Sequence, residues 1–152
     1  MKRAILFVGF IFLTGAGIIY ANTDEQQIKK VILDAYVNGI QNKGPIEEIE
    51  KGFHPSFELV GMGKDGYTVW ENHIYTWKEH VRQYRKKNNG KAKVPVTCEF
   101  DFVDITGEAC VTKIRLFKEG KQIFTDYLSL YKFKDGWRIV SKIFHRHENK
   151  KH

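Results

Sequence analysis

Apolar residues early in the chain recur with the period of a helix. Ile28, Val31, Ile32, Ala35, Tyr36, Gly39 and Ile40 share one face at spacings of three and four. Thr23 followed by Gln26 is a capping-box pair that predicts where this helix starts, and Gly44 stops it. Pro45 with Glu47 and Glu48 then opens a second, short helix, which turns Ile46, Ile49 and Phe53 to the same core and ends at His54-Pro55. Phe57 to Val60 reads as a short strand, and Tyr67 to Trp70 as another beyond a glycine-rich turn. Thr76 and Glu79 predict the cap of a third helix, whose buried stripe is Trp77, Val81 and Tyr84. After the segment RKKNNGKAK the period changes to two. Val94, Val96, Cys98, Phe100 and Phe102 alternate with polar neighbours, as in a half-buried strand. Further strands are predicted from Ala109 to Phe117, Ile123 to Phe133 and Trp137 to His145. Turns at Gly107, Gly120 and Gly136 separate them, and Asp135-Gly136 is a strong hairpin signal.

Helices first and a long meander afterwards is the order of an α+β fold. Three N-terminal helices are expected to pack in the concave face of a curved, mostly antiparallel sheet. Such a sheet leaves a hollow at its open end, where a ligand would sit.

A chain of 152 residues is read as one domain. Residues 1–21 have the pattern of a secretory signal: Lys2 and Arg3, then an apolar run from Ala4 to Leu13, then small residues up to Ala21. An uncleaved membrane anchor is the competing reading of this segment. No cysteine lies near residue 21, which excludes a lipid anchor on a new N-terminal cysteine. The expected organisation is therefore a signal at 1–21, a domain at 22–147 and a basic tail at 148–152. The expected location is periplasmic or secreted.

The net charge of +7 is concentrated in Arg85 to Lys93 and in the tail from Arg146. A nucleic-acid or anionic-lipid patch and a merely solvated loop compete for this feature. No aromatics are interleaved with these lysines as stacking platforms, so no nucleic acid is expected as a partner, nor a membrane once the signal is removed. Cys98 and Cys110 are one pair, too few for a disulfide framework. Pairing Asp104 with Gly107 would set Cys98 opposite Lys113 and Cys110 opposite Asp101. The two sulfurs would then lie on different faces, which predicts two unbridged thiols.

Three stretches resemble the nuclear-transport-factor-2-like superfamily, the cone-shaped (cystatin-like) fold shared by ketosteroid isomerase, scytalone dehydratase and polyketide cyclases. AYVNGIQNKG (Ala35 to Gly44) resembles the end of the family's first helix. EEIEKGFHPSFELVG (Glu47 to Gly61) resembles its second helix and following strand, and FTDYLSLYKFKDGWRIVSKIFH (Phe124 to His145) its final hairpin. Within the superfamily the combination of FHP, YLSLYK and GWRIVSKIFH is most similar to the small lumazine-binding family. The resemblance specifies a fold more than an activity, because this fold hosts unrelated functions.

The isomerase branch uses a tyrosine and a protonated aspartic acid as an oxyanion hole, with a second aspartate as base. Tyr36 falls where the oxyanion tyrosine would stand, and Asp126, among polar residues in FTDY, is the nearest counterpart of the acid. The base would be expected near Gly61 and Met62, where no carboxylate occurs, and Glu58 comes too early. His54 reads as a helix-ending residue, and His145 and His147 as a rim pair without a third ligand, so no metal is expected. No GxSxG or phosphate loop occurs. Aromatic residues make up 14% of the chain, high for a small domain; most fill the core, and those left at the cone mouth could stack on a flat heterocycle. The resemblance and this excess imply a binding module for a small planar aromatic ligand, pteridine-like or flavin-like. Its candidate pocket residues are Tyr36, Phe53, Phe57, Trp77, Tyr127 and Phe144. No catalytic residue and no cofactor are assigned. The alternatives are a lyase or isomerase with Tyr36 polarising the substrate, and a structural homodimer through the sheet.

Overall fold

Thr23 opens the first helix, α1 (Asp24–Val31), in the computed structural model, which describes residues 23–88, 90 and 92–148. The predicted capping box forms: the Gln26 amide donates to Thr23 Oγ1 at 3.3 Å and the Thr23 amide to Gln26 Oε1 at 3.0 Å. The predicted signal segment lies outside the described residues, as does most of the basic tail.

The helix continues in a form that periodicity did not foretell. Ile32–Gln41 is π-helical and closes with the Asn42 amide donating to the Val37 carbonyl at 2.9 Å. The wider turn buries three consecutive residues, Ala35, Tyr36 and Val37, where an α-helix would bury fewer. Next comes α2 (Ile46–Gly52), which ends two residues before the predicted His54-Pro55 stop. A Cβ on Gly52 would lie 2.3 Å from that of Ala35, so a glycine is required where α2 crosses the π segment.

The chain proceeds through β1 (Phe53–Met62), β2 (Val69–His73), α3 (Ile74–Asn88), β3 (Val96–Thr106), β4 (Ala109–Lys118), β5 (Lys121–Phe133) and β6 (Gly136–Arg146). Strand β1 starts earlier than expected, and α3 begins at Ile74 rather than behind a Thr76 cap. The sheet order is β2-β1-β6-β5-β4-β3, with every pair antiparallel except β1 with β6. The fold is α+β, three helical elements packed against a six-stranded curved sheet, as the sequence predicts. Bulges between Phe100 and Phe102 and opposite Ser129 and Leu130 bend it.

The core fills the concave side. Ile28, Ile32 and Ile40 from the helical layer meet Ile114, Leu116, Leu128, Leu130 and Ile139 from the strands. At the closed end of the cone Asp24 accepts from Trp137 Nε1 at 3.1 Å and Lys132 Nζ at 2.6 Å, tying α1 to the last hairpin. At the other side Asn42 mimics a strand: its side chain exchanges two hydrogen bonds with the backbone of Val96, at 2.7 and 2.9 Å.

Two predicted strand details are corrected. Thr106 pairs with Ala109 around a two-residue turn in which Gly107 has φ +58, so Cys110 faces Ile105 and Cys98 faces Leu116. The thiols are free, as expected, but for another reason. Both point to the concave side and are separated along the ladder rather than across the sheet. Phe102 is 45% exposed rather than buried, because the bulge at Asp101 turns the strand's second half over.

Candidate functional site

Inside the wide end of the cone, three side chains from three elements meet in a polar cluster surrounded by rings. Tyr36 comes from the π segment, Asp126 from β5 and Lys142 from β6. The Tyr36 hydroxyl donates to Asp126 Oδ2 at 2.5 Å, and Lys142 Nζ donates to Asp126 Oδ1 at 2.8 Å. Gln41 Nε2 donates to the Tyr36 oxygen at 2.9 Å. Tyr36 and Asp126 are fully buried and Lys142 is 4% exposed. Each carboxylate oxygen therefore has a donor, as a buried charge requires.

The Lys142 ammonium also lies against four rings, 4.6 Å from the Phe144 centroid, 5.2 Å from Tyr36, 5.8 Å from Phe124 and 5.9 Å from Trp77. At such distances the ring faces attract a cation and replace part of its lost hydration. Burial pulls the Lys142 ammonium below the ordinary lysine value, against the attraction of Asp126. Burial, then the charge and hydrogen bond of Asp126, push the Tyr36 phenol well above the ordinary tyrosine value. Tyr36 is thus a fixed neutral donor. The Cys98 thiol is pushed up to about 12, by burial first and by Asp126 second.

Beside this cluster lies a cavity of about 260 Å³. Trp70, Trp77, Phe124 and Phe144 wall it; Tyr36, Lys142, Gln41 and the buried Leu59 reach it from the inside; Asn72 and Arg146 complete its mouth. Trp70 is held by its indole N–H, which donates to the Met62 carbonyl at 3.2 Å, and it stands edge-on to Phe144 at 6.0 Å. Its indole also explains Gly61, since a Cβ there would sit 2.2 Å from the Trp70 ring. The position where the isomerase base would be attached is thus covered by tryptophan. Glu58, the other nearby carboxylate, points outward to His73 at 3.7 Å.

Two wider grooves, of about 520 and 610 Å³, run along the outside of the helical layer. Their charges are exposed or half-buried and paired with one another, Lys30 with Asp34, Lys51 with Glu48 and Arg138 with Asp135. The smaller cavity is the one built around buried chemistry.

Of the six residues predicted for the pocket, Tyr36, Trp77 and Phe144 line it. Phe57 is fully buried behind Trp77, stacked at 5.8 Å and 11°. Phe53 lies edge-on to Tyr36 at 6.3 Å and reaches only a separate small cleft beside Ile74. Both are core residues. Tyr127 is a correction: it points to the convex face, 39% exposed, because its neighbour Asp126 takes the inward position. That inward position buries Asp126 fully beside Tyr36, although its neighbours in FTDY are polar. The alternation of Leu130, Leu128 and Asp126 could have found it.

Lys142 was not predicted. Counting by twos from Trp137 and Ile139 puts Ser141 inside, but the bulge opposite Leu130 skips Val140 and turns Lys142 in. Among the histidines, His54 stacks on Phe133 at 4.8 Å on the surface. His147 Nε2 lies 2.9 Å from both Gln122 and Thr125, beside the exposed His145. Among the described residues no cluster of three or more His, Cys, Asp or Glu could hold a metal ion.

Comparison with known proteins follows the same lines. The family described as "Putative lumazine-binding" matches residues 23–145. A nuclear-transport-factor-2-like protein of unknown function from Shewanella baltica superposes with a TM-score of 0.63 at 21% identity, covering 83% of this chain and 95% of its own. A similar protein of unknown function from Methylobacillus flagellatus is 28% identical, with a TM-score of 0.58 and coverage of 82% and 93%. A Nostoc punctiforme domain with a cystatin-like fold gives 0.57 at 15% identity, over 84% of this chain and 79% of its own. No curated protein matches the sequence.

Proposed function

This chain belongs to the lumazine-binding family of the nuclear-transport-factor-2-like superfamily, and from that premise we propose that it is an exported binding protein whose cone cavity holds a small planar heterocycle. The observation that carries the reading is the cavity itself. Four aromatic walls surround a space that ends on a fixed phenol and a buried ammonium. Flat rings stack on such walls, each good contact contributing about 0.5–1.5 kcal/mol beyond area burial. The polar edge of a pteridine-like ring would meet Asn72, Arg146 and the remaining N–H groups of Lys142. The volume of about 260 Å³ is smaller than the roughly 300–1,000 Å³ of sites for drug-sized ligands. It suits one or two fused rings, and of a flavin it suits the ring edge rather than the whole molecule.

Trp70 and Trp77 stand in the wall, so quenching of tryptophan fluorescence reports occupancy. Titration with lumazine, riboflavin and a steroid enone should give saturable quenching in that order of affinity. Binding of the enone alone would overturn the reading. The isomerase alternative draws support from Tyr36 and Asp126, which lie together as an oxyanion pair would. Against it, Tyr36 spends its only hydroxyl proton on Asp126, and Trp70 covers the place of the base. Turnover of the enone that disappears in Tyr36→Phe would favour the enzyme.

Export is part of the same proposal, with the exported chain starting near Asn22. Intact mass of the exported product tests it, and retention of Met1 in a membrane fraction would refute it. A homodimer through the convex face, where Val111, Tyr127, Tyr131 and Ile143 are exposed, is compatible with ligand binding and is tested by sedimentation over a range of concentrations.

A further inference from the structure

Taking the cavity as a binding site, we infer that its ligand is an acid: a planar aromatic anion whose negative group is read by Arg146 at the mouth. The inference deepens the proposed function and rests on it, but the observations behind it concern charge rather than shape.

Among the described residues only two ionic side chains line the cavity, Lys142 and Arg146, and both are cations. No carboxylate faces the space. The nearest, Asp126, lies behind the wall with one oxygen taken by Lys142 and the other by Tyr36. Lys142 is therefore matched and Arg146 is not. Arg146 closes β6 opposite Phe124, and its guanidinium is held over the Phe124 ring at 5.4 Å. That distance is within cation–π range, and no hydrogen bond or ion pair engages the guanidinium N–H groups among the described residues.

A second donor points the same way. Asn72 is half-buried on β2 at the cavity mouth, with no hydrogen-bond partner for its amide among the described residues. The Trp70 indole N–H is already spent on the Met62 carbonyl, and deeper in the cavity Gln41 Nε2 is spent on the Tyr36 oxygen. The two free groups are thus a planar cation and an amide. A guanidinium binds a carboxylate or an acidic ring edge with paired, parallel hydrogen bonds, which a neutral ring cannot reciprocate. The field inside a low-dielectric cleft of one sign also concentrates anions there.

The test is a matched pair of probes, quinoline-2-carboxylate and quinoline-2-carboxamide, titrated against the exported chain by tryptophan quenching at low and high salt. The carboxylate should bind roughly tenfold or more tightly, as one charged hydrogen-bonded contact implies. Added salt should narrow that preference. Arg146→Gln should abolish it, the carboxylate losing more affinity than the carboxamide. Arg138→Gln, at the closed end of the cone, should preserve it. Equal binding of the two probes, or a preference that survives Arg146→Gln, overturns the inference and leaves the binding proposal standing. Failure of both probes to bind removes the binding proposal and this inference with it.

Discussion

The two ends of the cone interior are built from the same strands and buried to the same degree, yet they hold opposite chemistry. At the closed end β5 and β6 contribute Leu130, Trp137 and Ile139, which pack on Ile28 and Cys110. A few residues along, the same strands contribute Asp126 and Lys142, with accessibilities of 0% and 4%. Hydrocarbon packing stabilises the first end directly. A buried ion pair contributes little net stability over apolar residues of similar size, because desolvation of both charges opposes their attraction. What the open end gains is orientation, since Asp126 fixes both the Tyr36 hydroxyl and the Lys142 ammonium beside the cavity. The comparison teaches that the closed end holds the fold and the open end holds a geometry.

The largest effect should come from breaking the pair on one side only. Asp126→Ala leaves a buried ammonium unmatched and should cost about 3–5 kcal/mol in denaturant unfolding. The double variant Asp126→Leu with Lys142→Met should recover most of that loss while abolishing ligand-induced quenching. A double variant as unstable as the single one would show that the pair, rather than its imbalance, supports the fold.

At the closed end, Ile139→Ala should cost about 2–5 kcal/mol through lost burial and a cavity. Its ligand affinity should stay at the wild-type level. A large affinity loss would mean that the two ends are not separable.

Tyr36→Phe removes one hydrogen bond to a carboxylate and should cost about 1.5–3 kcal/mol of stability. It should also change the response to pH. The folded-state pKa of Tyr36 is raised, so its contribution is fully present below the ordinary value of 10.0 and is lost as pH rises through the folded value. Wild-type stability should therefore fall in alkaline solution above about pH 10 more steeply than that of Tyr36→Phe, as read from denaturant midpoints across that range.

The smallest effect is expected one residue from Asp126. Tyr127→Ser, on the convex face, should shift stability by no more than about 0.5 kcal/mol and leave quenching unchanged. A binding defect there would place the ligand on the wrong side of the sheet.

Much of the fold was legible because its signals are local. The buried stripe from Ile28 and the Thr23–Gln26 box appear where the pattern put them, and the last hairpin turns one residue early, at Lys134-Asp135 with Gly136 already paired to Phe133. Tyr36 was reached through a resemblance to a family, and Asp126 could have been reached by counting back from Leu130 and Leu128. Lys142 could not. A bulge depends on the partner strand, and Val140 carries no mark that it will be skipped. The same holds at Asp101, whose bulge moved Phe102 outward. The placement of Trp70 over Gly61 is a contact between two strands with no signature in either.

The sequence by itself therefore determined the class and order of the elements: helices, then a mostly antiparallel meander, with the phenol of Tyr36 on the inner helix face. Helical and strand periods follow from backbone geometry within a few residues, so they can be read along the chain. Only the tertiary structure decided which face each half-strand shows, and with it the meeting of Tyr36, Asp126 and Lys142. A one-residue bulge reverses every side chain beyond it, and whether a bulge forms is settled by cross-strand hydrogen bonds and by packing.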